Sequence, residues 1–164
     1  MCDREDVVTS IEPIRKQIVV NATPDHAFHV FTEHHGDWWP LETHHIGDQP
    51  AVTAMIEPKI GGRWGERAAD GTESVWGRVV AWEPPSRLLL TWEIDGNWKH
   101  DDALSTEVEI RFVPEGASQT RVEFEHRLLE QYGANAHFMR APMDAGWSSF
   151  LELFAAQAAA EHAA

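Results

Sequence analysis

Four of the ten histidines lie close together in residues 33–47: His34, His35, His44 and His45. Zinc needs three or four ligand atoms that converge on one point, about 2.0–2.1 Å away for a histidine nitrogen. Neighbouring histidines in a chain diverge, so each pair would supply one ligand, and Glu33, Asp37 or Glu42 would have to complete the site. His26 and His29 lie one helical turn apart upstream, but no recognised ligand spacing is present. The segment therefore predicts no metal site, and we interpret its histidines as side chains of a solvated loop or as packing side chains.

A fifth histidine, His126, falls on an otherwise apolar strand face, which it shares with Val122 and Phe124. A neutral imidazole that faces inward needs a partner for its N–H group. Two interpretations stay open: a core histidine bonded to backbone or to an acidic side chain, or a polar anchor inside a ligand cavity. An imidazole with its ordinary pKa near 6.5 could also act as a general base. Arg63 and Glu66 have opposite parities on one strand and form no motif with His126, which favours binding over catalysis.

Motifs for nucleophilic catalysis or phosphate binding are missing from the sequence. There is no GxSxG, and GGRWG at residues 61–65 enters a predicted strand instead of a helix, which excludes a dinucleotide fingerprint. Cys2 has no histidine context. Whether the protein is an enzyme is left open by its sequence.

Composition narrows the class of partner and compartment. Thirteen basic and twenty-seven acidic residues give a net charge of −14, which argues against nucleic acid and anionic membranes as partners. One cysteine excludes an internal disulfide framework and is typical of a reducing compartment. The beginning of the chain lacks the apolar core of a signal peptide, and no run is long enough to span a bilayer. We predict a cytoplasmic protein.

The elements that must position these residues follow from the hydrophobic periodicity. Residues 1–12 are predicted to be a flexible lead-in to a single domain over residues 13–164. One strand, then a helix capped by Thr23 and Pro24, precede a series of strands from residue 51 to residue 128. The last two strands alternate apolar and charged residues, which predicts an antiparallel sheet with one buried face. A long helix is expected to begin at Pro142, with its aromatic stripe packed on that face.

Eight tryptophans against one tyrosine indicate a bulky core, a wide cavity, or both. Trp38 and Trp39, followed by Pro40, form a rigid aromatic step that fits the mouth of a cavity. Trp76 and Trp82 have the opposite parity from their apolar neighbours, so we expect them on the outer face of the sheet. Two exposed tryptophans there would indicate a homodimer interface.

A longer stretch, GGRWGERAADGTESVWGRVVAWEPPSRLLLTWE at residues 61–93, resembles the family named after the activator of the heat-shock-protein-90 ATPase. This family belongs to the START-related, or SRPBCC, superfamily. The residues that support the resemblance are Gly61, Gly62, Asp70, Gly71, Trp76, Gly77, Pro84, Pro85 and residues 88–92. FTEHHGDWWP and GWSSFLELFAA are also similar to segments of that family, so the resemblance covers residues 14–157.

The resemblance implies an α+β helix-grip fold. In that fold a curved antiparallel sheet of six to seven strands wraps around a long C-terminal helix, two short helices follow the first strand, and a cavity lies between sheet and helix. Ten residues would line the cavity here: Trp38, Trp39, Trp92, Phe112, Phe124, His126, Trp147, Phe150, Leu151 and Phe154.

From this we expect binding of a small, largely apolar molecule, with His126 orienting a polar substituent and with no cofactor. The superfamily offers one alternative, a cyclase- or hydrolase-type enzyme that acts on a small hydrophobic or aromatic substrate. The family name offers another, a chaperone-linked interaction protein.

Overall fold

A seven-stranded antiparallel sheet dominates the computed structural model, which describes residues 11–163. Of the predicted flexible lead-in over residues 1–12, residues 1–10 lie outside the described range. The strands are β1 (Ile14–Val20), β2 (Ala51–Ile56), β3 (Arg63–Ala68), β4 (Glu73–Glu83), β5 (Arg87–Trp92), β6 (Thr106–Gly116) and β7 (Gln119–Arg127). Their order in the sheet is β1-β7-β6-β5-β4-β3-β2, so the first strand joins the last hairpin at one edge.

The described part of the chain also contains three helices and a 3₁₀ segment: α1 (Pro24–Thr32), α2 (His35–Trp38), the 3₁₀ segment (Leu129–Asn135) and α3 (Ala136–Ala163). The Thr23 hydroxyl accepts the His26 N–H at 3.3 Å, which is the predicted cap of α1. The prediction that α3 begins at Pro142 is wrong, because Pro142 lies inside the helix. The helix begins six residues earlier, where Ala136 is buried and Arg140 donates to the backbone carbonyls of Glu12 and Pro13. Within residues 11–163, no helix combines the length and the apolar character needed to cross a membrane.

The two faces of the sheet differ as the alternation predicts. Ile110 and Phe124 lie opposite each other in the β6–β7 register and are buried on the inner face. On the outer face, Glu109 accepts hydrogen bonds from Arg87 and Arg127. The sheet curls around α3, and the α+β helix-grip fold is confirmed, including the two short helices after β1.

Trp76 corrects one sequence prediction. Its side chain is only 1% exposed, and its indole N–H donates to Glu66 at 2.9 Å in the interior. The cause is a β-bulge: Trp64 pairs with Gly77 and the next pairing skips Trp76 to reach Val75. One extra residue in a strand reverses which side chains face inward. Trp82 is partly buried against Phe28, so the expected pair of exposed tryptophans is not present.

Candidate functional site

A cleft of about 650 Å³ lies between the β5–β6 loop, residues 93–105, and the first half of α3. The volume falls in the range of small-molecule sites. The apolar part of its wall consists of Trp92, Ile94, Trp98, Leu104, Phe138, Met139, Pro142, Met143, Trp147 and Phe150. Most of the aromatic rings in this wall belong to one connected cluster, with a ring-centre distance of 5.5 Å between Trp92 and Trp147 and 5.3 Å between Trp147 and Phe150. The cleft therefore offers a broad aromatic surface.

The outer part of this wall is exposed. Trp98 lies 6.2 Å from Trp92, edge to face, at the tip of the β5–β6 loop. Phe138, in the first turn of α3, is 81% exposed. Exposed aromatic rings beside a cleft offer contact area to a ligand and contribute little to the empty fold.

Hydrogen bonds made by the side chains of Asp95 and Glu93 hold the β5–β6 loop in shape. One carboxylate oxygen of Asp95 accepts the N–H groups of Asn97 at 2.8 Å and Lys99 at 3.0 Å. Between these two residues, Trp98 has a positive φ of 59°, a conformation that non-glycine residues rarely adopt. At the base of the loop, His100 is bonded to Glu93 at 2.7 Å. The sequence thus builds a loop that places Trp98 at the cleft.

Two polar side chains of the cleft are neutral near pH 7. The Tyr132 hydroxyl donates to the carbonyl of Ile94 at 2.7 Å, and burial, together with the charge of Asp95, raises the pKa of Tyr132. His44 packs between the rings of Trp98 and Phe150, and burial lowers the pKa of this imidazole. Its Nδ1 bonds to Thr43 at 2.7 Å, whereas its Nε2 has no hydrogen-bond partner in residues 11–163.

His126 lies behind the cleft in a closed hydrogen-bond chain. The Trp147 indole N–H donates to its Nδ1 at 3.1 Å, so its Nε2–H donates to the Thr106 hydroxyl at 2.9 Å. Thr106 in turn donates to the carbonyl of Trp92 at 2.6 Å. The His126 side chain is 0% exposed, and burial lowers its pKa from 6.5 to about 3. The imidazole is therefore neutral and holds Trp147 in place on the cleft wall.

Of the ten residues expected to line a cavity, three line this cleft: Trp92, Trp147 and Phe150. The other seven lie in the core behind it: Trp38, Trp39, Phe112, Phe124, His126, Leu151 and Phe154. Their rings pack closely, with 4.5 Å between the centres of Trp39 and Phe150 and 4.8 Å between those of Phe124 and Trp147. Trp39 also donates to the carbonyl of His44, which ties the core to the cleft.

Several cleft residues were not predicted from the sequence, among them His44, Trp98, Tyr132, Phe138 and Met139. Because α3 was predicted to begin at Pro142, the residues before this proline were not predicted to lie on the helix. Spacing held a usable signal, since Met139, Met143 and Trp147 recur at four-residue steps on one helical face. A tryptophan inside a polar loop was the other available signal.

The histidines of residues 33–47 divide between core and surface. His35 is fully buried: its Nδ1–H donates to the carbonyl of Phe31 at 2.9 Å, and its Nε2 accepts the Trp64 indole N–H at 3.0 Å. Burial lowers the pKa of His35 to about 4. His35 is therefore a packing histidine and not a residue of a solvated loop, since α2 places it under the sheet.

His34 is the one of these histidines that lies among acidic groups able to bind a metal. Its Nδ1 is 2.7 Å from Glu161 near the end of α3 and 3.9 Å from Asp37. The shorter contact is a complete hydrogen bond, and Asp37 is largely exposed. We interpret the group as a tether between α2 and the end of α3.

Comparison with known proteins places the chain in a family. The family model of Activator of Hsp90 ATPase homolog 1-like protein matches residues 21–159. Among solved structures, an anthrahydroquino-Gama-pyrone synthase, Txn09, is 42% identical; the match covers 83% of this chain and 89% of that one, with a TM-score of 0.57. The self-sacrificing resistance protein CalC from Micromonospora echinospora is 30% identical over 92% of this chain and 96% of its own, with a TM-score of 0.69.

A more distant structure, the Aha1 dimer from Colwellia psychrerythraea, is 16% identical over 91% of this chain and 97% of its own; its TM-score of 0.61 shows a shared fold. No curated protein matches the chain. The resemblance seen in the sequence is confirmed by the family match and by the two more similar structures. The chain belongs to the family of Activator of Hsp90 ATPase homolog 1-like proteins.

Proposed function

We propose that this domain binds a small, largely apolar, aromatic molecule in the cleft between the β5–β6 loop and α3. The observation that carries the proposal is the aromatic wall around a volume of about 650 Å³, part of which is exposed. Ligand sites of this size combine mostly apolar walls with a few polar groups, and His44 and Tyr132 supply such groups here. The 42% identical relative is named for a fused aromatic product, which supports an aromatic ligand.

Within this proposal the ten predicted residues have two roles. Trp92, Trp147 and Phe150 contact the ligand, and the seven core residues hold those three rings in position. His126 acts through Trp147, whose indole N–H it accepts, because its own ring nitrogens are both bonded inside the core. Trp98 and Phe138 extend the contact surface at the rim.

A second candidate function is a cyclase-type reaction on such a molecule, and the 42% identity to a synthase favours it. The general base would then be His44, whose Nε2 is without a partner in residues 11–163 and whose ring lines the cleft. His126 is poorly suited to that role, since its pKa is lowered to about 3. Turnover that is lost in His44→Gln while binding is retained would establish this function.

Three further expectations stay predictions. A chaperone-linked role has only the family description in its favour. The homodimer was predicted from two exposed tryptophans, and this argument no longer holds because Trp76 is buried. The cytoplasmic location rests on the sequence arguments given above.

The test of binding uses anthracenemethanol, a neutral tricyclic probe, and the quenching of tryptophan fluorescence in the tag-free protein. Phe138→Ala should weaken binding about tenfold, because losing roughly 50–60 Å² of buried apolar contact costs about 1.4 kcal/mol. Leu153→Ala is the matched control, since Leu153 is exposed on α3 and does not line the cleft. Equal affinity of both variants and the wild type, or no binding at all, would overturn the proposed site.

A further inference from the structure

We infer that the cleft selects neutral or cationic aromatic molecules that carry hydrogen-bond donors, and rejects aromatic anions. The inference rests on the proposed function and names the class of ligand for the same site. It follows from the charges that line the cleft, which are two carboxylates, Asp95 and Asp101, and no lysine or arginine among the residues described.

Both carboxylates have an oxygen left over for a ligand. Asp95 uses Oδ1 for the N–H groups of Asn97 and Lys99, and Asp101 uses Oδ1 for the N–H of Ala103 at 2.9 Å. The Oδ2 atoms of Asp95 and Asp101 have no hydrogen-bond partner in residues 11–163. Each is an acceptor that a ligand hydroxyl or ammonium group can fill.

Nearby cations do not compensate these charges. Arg140 lies on α3 near the cleft but donates to the backbone carbonyls of Glu12 and Pro13, on the side of β1. Lys99 belongs to the same loop as Asp95, and its side chain does not line the cleft. His44 is neutral near pH 7 because burial lowers its pKa.

The negative charge of Asp95 acts on Tyr132 inside the cleft. After burial, which is the larger cause, the negative charge of Asp95 contributes to the raised pKa of this phenol. An anionic substituent near Tyr132 would meet the same repulsion. The chain as a whole carries a net charge of −14, which also slows the approach of anions.

The experiment compares three probes that share one ring system: anthracenemethylamine as the cation, anthracenemethanol as the neutral compound and anthracene carboxylate as the anion. Affinities are measured by tryptophan quenching for the wild type and for Asp95→Asn and Asp101→Asn. The asparagine variants keep the Oδ1 acceptor that shapes the loop, remove the charge, and replace the Oδ2 acceptor by an NH₂ donor. Asp102→Asn is the matched control, because it removes a charge from the same loop at a side chain that is 99% exposed and does not line the cleft.

We expect the cation to bind the wild type most tightly and the anion most weakly. Each cleft variant should reduce the ratio of cation to anion affinity by about fivefold, the effect of one partly exposed charge pair. Asp102→Asn should leave the ratio unchanged, and added salt should reduce it.

Equal affinities for the three probes, or tighter binding of the carboxylate, would overturn the charge selection and leave the proposed function standing. An equal loss of selectivity in Asp102→Asn would show that the overall charge is responsible, which also overturns the assignment to Asp95 and Asp101. If none of the probes binds, the proposed function fails and the inference fails with it.

Discussion

Replacing His126 by leucine tests whether the buried hydrogen-bond chain stabilises the cleft wall. At neutral pH the change leaves the Trp147 indole N–H buried without an acceptor, which costs about 1–3 kcal/mol of unfolding free energy. Leucine fills a similar volume, so the packing cost is smaller. Thr106 keeps its bond to the carbonyl of Trp92 and adds little to the loss.

The same substitution changes how stability depends on pH. In the folded wild type the pKa of His126 is about 3, against 6.5 for an unperturbed histidine, so the unfolded chain takes up the proton first. The stability from neutral His126 is therefore complete above pH 6.5 and is lost as the pH falls toward 3. Between about pH 6.5 and about pH 5 the loss for one such histidine is about 1.5 kcal/mol. His35 behaves in the same direction, since its pKa is lowered to about 4.

Urea unfolding at a series of pH values measures this directly. The free-energy difference between wild type and His126→Leu should shrink by about 1.5 kcal/mol over that pH interval, because only the wild type loses the His126 contribution. Thr106→Val is the control: it breaks the same hydrogen-bond chain and retains the imidazole, so it should be destabilised but keep the wild-type slope. A constant difference between wild type and His126→Leu at all pH values would refute the reasoning.

Two other substitutions test the β-bulge region that turns Trp76 inward. Glu66→Gln should lower the unfolding free energy by about 1–3 kcal/mol in urea, because the buried carboxylate accepts the Trp76 indole N–H and two backbone N–H groups that one amide oxygen cannot all satisfy; a change under about 0.5 kcal/mol would contradict this. Gly77→Ala should prevent stable folding, as seen by circular dichroism, since a Cβ there would lie 1.8 Å from the Thr91 carbonyl oxygen. Gly116→Ala, where a Cβ meets nothing within 4 Å, is its control, and similar melting curves for the two would disprove the close approach.

The predictable part of the fold is the part governed by local periodicity. Alternation in β6 and β7 predicts the buried face correctly because both strands pair in register from Glu107–Arg127 to Pro114–Thr120. The cap of α1 is also a local feature. Thr23 accepts an N–H group of the first turn, Pro24 has no N–H that needs an acceptor, and the negative charge of Asp25 favours the positive end of the helix dipole.

The start of α3 and the orientation of Trp76 depend on interactions between distant residues. A proline predicts the beginning of a helix from local rules, but α3 begins six residues before Pro142, at Ala136, which is buried in the core. The bulge at Trp76 depends on the pairing of β4 with β3 and on the buried acceptor Glu66. No period in the sequence of β4 encodes it.

The residues of the candidate cleft could be predicted only where the core shares them. Trp92, Trp147 and Phe150, which were predicted from strand and helix patterns, line the cleft. Trp98 was not found, because its position depends on a loop held by Asp95. Loops carry function on a rigid scaffold, and a short polar loop has no periodicity from which contacts can be read.

Substitutions in the core and substitutions at the rim of the cleft are expected to have different effects. Seven of the ten residues predicted to line a cavity pack in the core, so the protein's own side chains occupy most of the space between sheet and helix. Room for a ligand lies where the β5–β6 loop meets α3. Changes at His126 or Glu66 should therefore alter stability first, whereas changes at Phe138 or Asp95 should alter binding with little effect on unfolding. A variant at Phe138 that unfolds the domain would place that ring in the core and remove the reason to locate the ligand at this end of α3.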